Sequence, residues 1–288
     1  MQPRTKLREA ITAGEVVFAP LALDALTARI AVRAGFDAVY VSGGALGYSY
    51  GVSEALLSLS ELADTTRHVV AGCDAAVIAD GGVGFGDAVH VARTITEVEA
   101  TGAAAIEIED QVAPKRVSHH RGIEHLIPPD EMAAKVEYAV KARQDDDFLV
   151  IARTGAVRNE SFDAAVERAN LYREAGADIL MLMPTTDEQW AEAPKRINGP
   201  LASITSLDLR SRADWQAMGW RLVIDPFTAQ VVAVKAIQAA YGQFMRTGTT
   251  GTDRAEITAT YRTLAELAGL GPLYAIEDAT TERPEDPE

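Results

Sequence analysis

The sequence predicts an α/β chain folded as a parallel (β/α)8 TIM barrel, and three observations carry that prediction. A glycine placed where a helix would end, followed at once by a short apolar run, recurs four times: AGFDAVYVSGG (34–44), TGAAAIEIED (101–110), EAGADILMLMP (174–184) and AMGWRLVIDP (217–226). Four more runs of the same Val, Ile, Leu and Ala character bring the candidate strands to eight. The stretches between them repeat their apolar residues with a period near 3.6, so strand and helix alternate along the chain. An open doubly wound sheet with added elements is the alternative, but eight alternations in 288 residues fit a closed barrel better.

In chain order, EVVFAP (15–20) is the first strand, and DALTARIAVRA (24–34) is a helix ending at Gly35 before the second. DAAVIADGG (74–82) supplies the third strand, and DAVHVARTITEVEA (87–100) the helix that ends at Gly102 before the fourth. PDEMAAKVEYAVKARQ (129–144), with Pro129 in its first turn, leads to the fifth strand in DFLVIARTG (147–155). SFDAAVERANLYREA (161–175) follows, with Ser161 and Asp163 where N-caps belong, and runs into the sixth strand after Gly176. GPLASIT (199–205) is the seventh strand and the run after Gly219 the eighth.

No Pro, Ser or Gly-rich linker divides the chain, so residues 1–272 read as one barrel domain that includes the C-terminal helices. Residues 273–288 are acidic and poor in apolar groups, and are expected to form a disordered, solvated tail. A net charge of −15 argues against nucleic acid and anionic membranes as partners. Cys73 is the one cysteine, which leaves no intramolecular disulfide; it is expected as a small buried residue at a strand entry. With neither a signal peptide nor an apolar run long enough to span a bilayer in view, a cytoplasmic location is expected.

Barrel active sites lie at the strand C-terminal ends, so the residues just past each run carry the functional reading. Tyr40-Val41-Ser42-Gly43-Gly44 can form a nest of backbone N–H groups with a hydroxyl beside it, suited to a carboxylate or phosphate; a plain turn needing glycine is the bland alternative. Asp80 and Glu109 end neighbouring strands, and two hard oxygen ligands can hold Mg²⁺, which keeps several of its waters. Arg153 ends the fifth strand, either as a bidentate clamp for a substrate carboxylate or in a structural ion pair. Lys115, Ser118, His119 and His120 occupy a loop long enough to fold over the barrel mouth, although the histidines can equally be exposed loop residues. The GGVGFG stretch after Asp80 lacks the lysine and spacing of a nucleotide-binding loop.

Over roughly residues 5–250 the chain resembles the isocitrate lyase and phosphoenolpyruvate mutase superfamily, nearest to its methylisocitrate lyase and carboxyphosphonoenolpyruvate mutase-like branch. The landmarks are PLALDALTARIAVRAGFDAVYVSGG, IEIEDQVAPKR followed by Ser118-His119, EMAAKVEYAVKAR, FLVIART and LVIDP. The resemblance implies a (β/α)8 barrel, a homotetramer with the last helix swapped between neighbours, and a Mg²⁺ ion, with Mn²⁺ as a substitute, holding a small anionic 2-oxo or 2-hydroxy carboxylate as its enolate. By position, Tyr40, Ser42, Gly43 and Gly44 match the substrate-carboxylate loop, Asp80 and Glu109 the metal-binding acids, Lys115 and His119 the gating loop, and Arg153 the substrate arginine. Glu54 falls near an aspartate that reaches the metal through water.

Departures from that pattern shape the expected chemistry. The lyases carry a cysteine where this chain has Val117, the mutases an asparagine there, and Ser118 keeps only the serine of the latter. Gly82 replaces the second aspartate of the metal motif, Gly155 the aspartate after the arginine, Met183 a glutamate and Ser203 an asparagine. The expected function is a Mg²⁺-dependent carbon–carbon lyase or decarboxylase acting through an enolate, with Tyr40, Lys115, Ser118, His119 and Arg153 as catalytic candidates. Phosphoenolpyruvate mutase or phosphonopyruvate hydrolase chemistry is the alternative, and a non-catalytic acid-binding descendant the third reading.

Overall fold

The structure, a computed structural model, describes residues 2–282. Eight parallel strands form the predicted barrel: β1 (Val17–Pro20), β2 (Ala38–Val41), β3 (Ala76–Asp80), β4 (Ala105–Glu109), β5 (Leu149–Arg153), β6 (Ile179–Met181), β7 (Leu201–Ile204) and β8 (Leu222–Asp225). The ladder runs β1-β8-β7-β6-β5-β4-β3-β2. A single bridge between Leu21 and Tyr40 brings its two ends together, with Ala22 N–H donating to the Tyr40 carbonyl at 2.9 Å.

The glycines before β2, β4, β6 and β8 do what the pattern required of them. Gly35, Gly102, Gly176 and Gly219 all have φ between 90° and 107°, the left-handed region where a Cβ is strained. Ser161 caps the helix Phe162–Glu174 by accepting from Ala164 N–H, whereas Asp163 lies inside the first turn, so only Ser161 is the cap expected of the pair. Pro129 opens the helix Pro129–Ala142 as expected. Cys73 is half-buried after the helix Leu59–Gly72, and burial raises its thiol pKa, which keeps it an unreactive thiol.

Alternation along the strands separates two cores. Val39, Val77, Ile106, Ile108, Val150 and Leu180 point outwards into the layer shared with the helices. Tyr40, Ile78, Ala105, Ile151, Ile179 and Ile224 fill the barrel interior. On β4 the inward set is Ala105, Glu107 and Glu109, so the strand carries two carboxylates up the barrel axis to its C-terminal mouth.

The chain divides into two compact units, one ending at Gln230 and the other beginning at Val231, where the sequence suggested one domain through residue 272. The first holds all eight strands. The stretch expected as a disordered tail is helical from Leu270 to Thr280, because its apolar Leu273, Tyr274 and Ile276 continue a helical spacing that its acidic composition obscured. Residues 283–288 of that expected tail lie outside the described residues. Among the described residues no helix is long and apolar enough to cross a membrane.

Candidate active site

Six of the predicted site residues, Tyr40, Glu54, Asp80, Glu109, Lys115 and Arg153, meet at the C-terminal mouth of the barrel, and they bring with them two carboxylates that the sequence reading did not single out. Arg153, at the end of β5, is the centre of the cluster. Its guanidinium lies 3.0 Å from Glu107, 3.3 Å from Glu109 and 3.3 Å from Glu124. The bland alternative for this arginine, an ion pair with rim acids, is therefore the arrangement seen; its Nε remains buried without a partner.

Tyr40, fully buried on β2, donates to Glu107 at 2.5 Å. Burial first, then the neighbouring Asp80 charge, pushes the Glu107 carboxyl up to about 7 despite Arg153 and the tyrosine hydrogen bond. Glu109 is also raised, chiefly by burial, with Arg153 opposing. One of its oxygens accepts from the Gln111 amide at 3.0 Å; the other, Oε1, makes no hydrogen bond and lies 2.6 Å from the Lys115 ammonium. Lys115 also pairs with Glu54, so the loop lysine bridges the two acids. Its pKa falls well below the ordinary value because it is buried and faces Arg153.

Asp80, at the end of β3, accepts from Gly43 N–H at 2.9 Å and Gly82 N–H at 3.0 Å. This uses up the Gly43 amide that was expected to meet substrate. Ser42 is likewise engaged, its oxygen capping the helix Gly43–Ser49 by accepting from Ala45 N–H at 3.2 Å. Gly44 is needed for close approach: a Cβ there would lie 2.9 Å from a Glu54 carboxylate oxygen and 3.0 Å from the Phe227 ring. A cavity of about 760 Å³ adjoins the cluster, lined by Glu54, Asp80 and Lys115 together with the apolar Leu57, Phe85 and Val112.

The loop after β4 is folded against the mouth. His120 accepts or donates at 2.8 Å to Ser53 and 3.1 Å to Tyr48, on whose ring it stacks. His119 packs against His120 and, half-buried near Lys115, has its pKa driven down to about 3 by partial burial and then by the lysine charge, which favours a neutral imidazole; its Nε2 is buried and unpaired. Ser118 is turned away from the acids, its hydroxyl donating to the Ile123 carbonyl at 3.4 Å. The hydroxyl is thus hydrogen-bonded within its own loop, where a catalytic group was expected.

A divalent cation fits the donor set. Asp80, Glu107, Glu109, Glu54 and Glu124 place five carboxyl groups around two cations, Arg153 and Lys115, so the barrel mouth is rich in oxygen donors. Glu109 Oε1, buried and without a hydrogen bond, is the kind of hard oxygen Mg²⁺ takes. Among the described residues no group of three acidic, histidine or cysteine side chains is arranged to hold a metal ion by itself. Asp80, Glu109 and Glu54 are the acids that could hold it.

Glu107 had a signal that the reading passed over: in AIEIE, residues two apart share a face, so position 107 had to point the same way as position 109. Glu124 had none, since it reaches Arg153 from a loop some thirty residues earlier in the chain.

The family model for phosphoenolpyruvate phosphomutase matches residues 7–245. A 2-methylisocitrate lyase of Aeropyrum pernix is 39% identical over 86% of this chain and 82% of its own length. A 2,3-dimethylmalate lyase of Eubacterium barkeri is 34% identical over 96% of this chain and 98% of its own. Among solved structures, a 2,3-dimethylmalate lyase described as a member of the PEP mutase/isocitrate lyase superfamily superposes with a TM-score of 0.88 at 30% identity, covering 100% of this chain and 99% of that one. A phosphonopyruvate hydrolase in complex with oxalate and Mg²⁺ superposes with a TM-score of 0.86 at 30% identity, covering 98% and 100%.

Proposed function

Because the chain belongs to the phosphoenolpyruvate mutase/isocitrate lyase superfamily, we propose that it is a Mg²⁺-dependent lyase that breaks a carbon–carbon bond in a small 2-hydroxy or 2-oxo carboxylate, passing through an enolate. The observation that carries the reading is the charge-rich mouth: Asp80, Glu107 and Glu109 on two strand ends, with Arg153 among them. Burying so many ionised groups is costly and gives a scaffold no return that apolar packing would not exceed, which argues against a non-catalytic descendant.

When bound, Mg²⁺ supplies Lewis-acid stabilisation of the negative charge that develops on the substrate oxygen, and Mn²⁺ suits the same oxygen donors. The protein's own groups do the remaining work. Arg153 and Lys115 supply positive charge for the substrate's carboxylate, in a site whose burial strengthens each interaction. The hydrogen-bonded pair of Tyr40 and Glu107 can hold a proton at the tyrosine oxygen, inside the barrel and away from bulk water. Val117 carries no proton-transfer group and Ser118 bonds the loop backbone, which leaves the Tyr40–Glu107 pair and the unpaired His119 Nε2 as the groups able to carry a proton. Val117 and Ser118 also weigh against phosphorus–carbon chemistry, which would need loop donors at a phosphoryl group.

We further propose a homotetramer. The helices Thr228–Thr247, Arg254–Ala268 and Leu270–Thr280 have no buried residue and expose Val232, Tyr241, Phe244, Met245, Tyr261 and Tyr274, an apolar surface that further copies of this chain would cover, with the last helix exchanged between neighbours.

Calorimetric titration of oxalate, a mimic of the pyruvate enolate, tests the site. Binding that requires Mg²⁺ and disappears in Asp80→Ala supports an enolate site. Absence of binding to the wild-type protein with Mg²⁺ present refutes it.

A further inference from the structure

We propose that Glu124 is the positioning residue for Arg153, and that Gly155 is glycine so that this loop-borne carboxylate can reach it. The inference goes beyond the proposed reaction: it concerns how docking of the loop after β4 is communicated to the anion-binding arginine.

Gly155 does not owe its identity to backbone conformation. Its φ is −85° and its ψ 0°, values open to ordinary residues. What it provides is room: a Cβ at this position would lie 2.1 Å from Glu124 Oε2 and 3.1 Å from the glutamate's carboxyl carbon. Nor can the backbone readily retreat, because Gly155 N–H donates at 3.0 Å to Asp110, a fully buried carboxylate that Tyr172 holds at 2.9 Å and Arg168 at 3.4 Å. A side chain at 155 would therefore force the Glu124 carboxylate to shift from its present place.

The socket on the other side is built for that carboxylate. Asn159 donates to Glu124 Oε2 at 3.0 Å and to the Gly155 carbonyl at 2.8 Å, while its own oxygen accepts from Glu124 N–H at 3.1 Å. One asparagine thus fixes both the backbone and the side chain of Glu124. The free carboxylate oxygen, Oε1, then receives Arg153 Nη2 at 3.3 Å. Glu124 stands at the far end of the segment that carries Lys115, His119 and His120, so its hold on the arginine exists only where that segment lies against the mouth. Where the family that the chain resembles has an aspartate at the strand end, this chain has Gly155, and a carboxylate reaches Arg153 from the loop. The guanidinium, drawn also by Glu107 and Glu109 from the barrel side, is held between loop and barrel.

Two measurements test this. The first needs no ligand: a double-mutant cycle between Glu124→Ala and Arg153→Met, read by urea unfolding of the metal-free protein, with an expected coupling of about fivefold or more in the unfolding constant. Additive effects overturn the proposal. The second rests on the oxalate reading above. Glu124→Ala and Gly155→Ala, which both empty the socket, should each weaken Mg²⁺-dependent oxalate binding about tenfold. The pair Glu124→Ala with Gly155→Asp, which returns a carboxylate to Arg153 from the strand end, should recover affinity to within about threefold of wild type. Hydrogen exchange in 117–121 should be faster than wild type in all three, including the rescued pair, because the loop has lost its anchor. Unchanged affinity in Glu124→Ala, or no rescue by the pair, refutes the positioning role. If wild-type protein fails to bind oxalate, the proposed function falls and the ligand-free cycle alone decides this inference.

Discussion

Replacing Arg153 by methionine removes the cation from among Glu107, Glu109 and Glu124, which lie 3.0, 3.3 and 3.3 Å from it. The cost should depend on pH, and Glu107 sets the sign. Its carboxyl, ordinarily near 4.5, is pushed up to about 7 by burial and by Asp80, while Arg153 and Tyr40 pull the other way. A group raised in the folded state stabilises folding in its protonated form; that contribution is complete below the unfolded value and is lost as pH climbs to the folded one. Between 4.5 and 7 the wild-type protein therefore gives up about 3 kcal/mol at this residue. Without Arg153 the pull on Glu107 and Glu109 weakens, so ionising them costs the variant more. Near pH 5 the carboxyls are neutral, and the substitution should cost about 1–2 kcal/mol in lost hydrogen bonds. Near pH 8 it should cost about 3–5 kcal/mol, the penalty for buried charge deprived of its partner. Urea unfolding of metal-free protein at the two pH values measures both. A cost that is equal at both, or larger in acid, would refute the claim that Arg153 is held by ionised carboxylates.

Three other substitutions report on separate parts of the site. Lys115→Met removes the ammonium that bridges Glu54 and Glu109, and should tighten Mg²⁺ binding in the absence of oxalate by about tenfold, since the ion no longer competes with a fixed positive charge; equal or weaker binding by calorimetry counts against shared ligands. His120→Ala loses contacts to Ser53 and Tyr48 worth about 0.5–1.5 kcal/mol each, so exchange in 117–121 should quicken about tenfold; unchanged protection means the histidine does not hold the loop. Tyr40→Phe deprives Glu107 of its 2.5 Å donor and should lower the melting temperature by about 2–4 °C; a higher melting temperature would mean that the buried hydroxyl is a net cost.

The barrel was legible because its signals are local. Each αβ joint needs a left-handed residue and each strand a run that can be buried on both faces, and Gly35, Gly102, Gly176 and Gly219 with the runs after them satisfy both within ten residues. Rim residues that end strands, Asp80, Glu109 and Arg153, were legible for the same reason. Their pairings were not. Lys115 and Glu54 were expected at the site, but nothing in a sequence says that residue 115 will bridge residues 54 and 109 or that residue 124 will lie against residue 155. The acidic C-terminal stretch misled because charge fraction speaks to burial and not to helix formation, and the helix Leu270–Thr280 has no buried residue.

The loop after β4 delivers charges of both signs to the mouth, and their placement suggests an order of events. Lys115 neutralises Glu54 and Glu109, the acids best placed to receive a divalent ion, while Glu124 satisfies Arg153 from the other side. These two attachments should respond differently to metal. Positive charge at Glu109 would remove the attraction that keeps Lys115 buried, and a desolvated ammonium with a depressed pKa has every reason to turn towards an incoming carboxylate. Glu124 has no such competitor, because its second oxygen and its backbone are fixed by Asn159 at 3.0 and 3.1 Å. Metal loading should therefore release the lysine without releasing the loop, leaving the arginine braced and the lysine free for substrate. Hydrogen exchange on addition of Mg²⁺ alone separates the two: protection near residue 115 should fall while that at Glu124 and Asn159 persists, and a parallel loss at both ends would show the loop to be one latch instead of two.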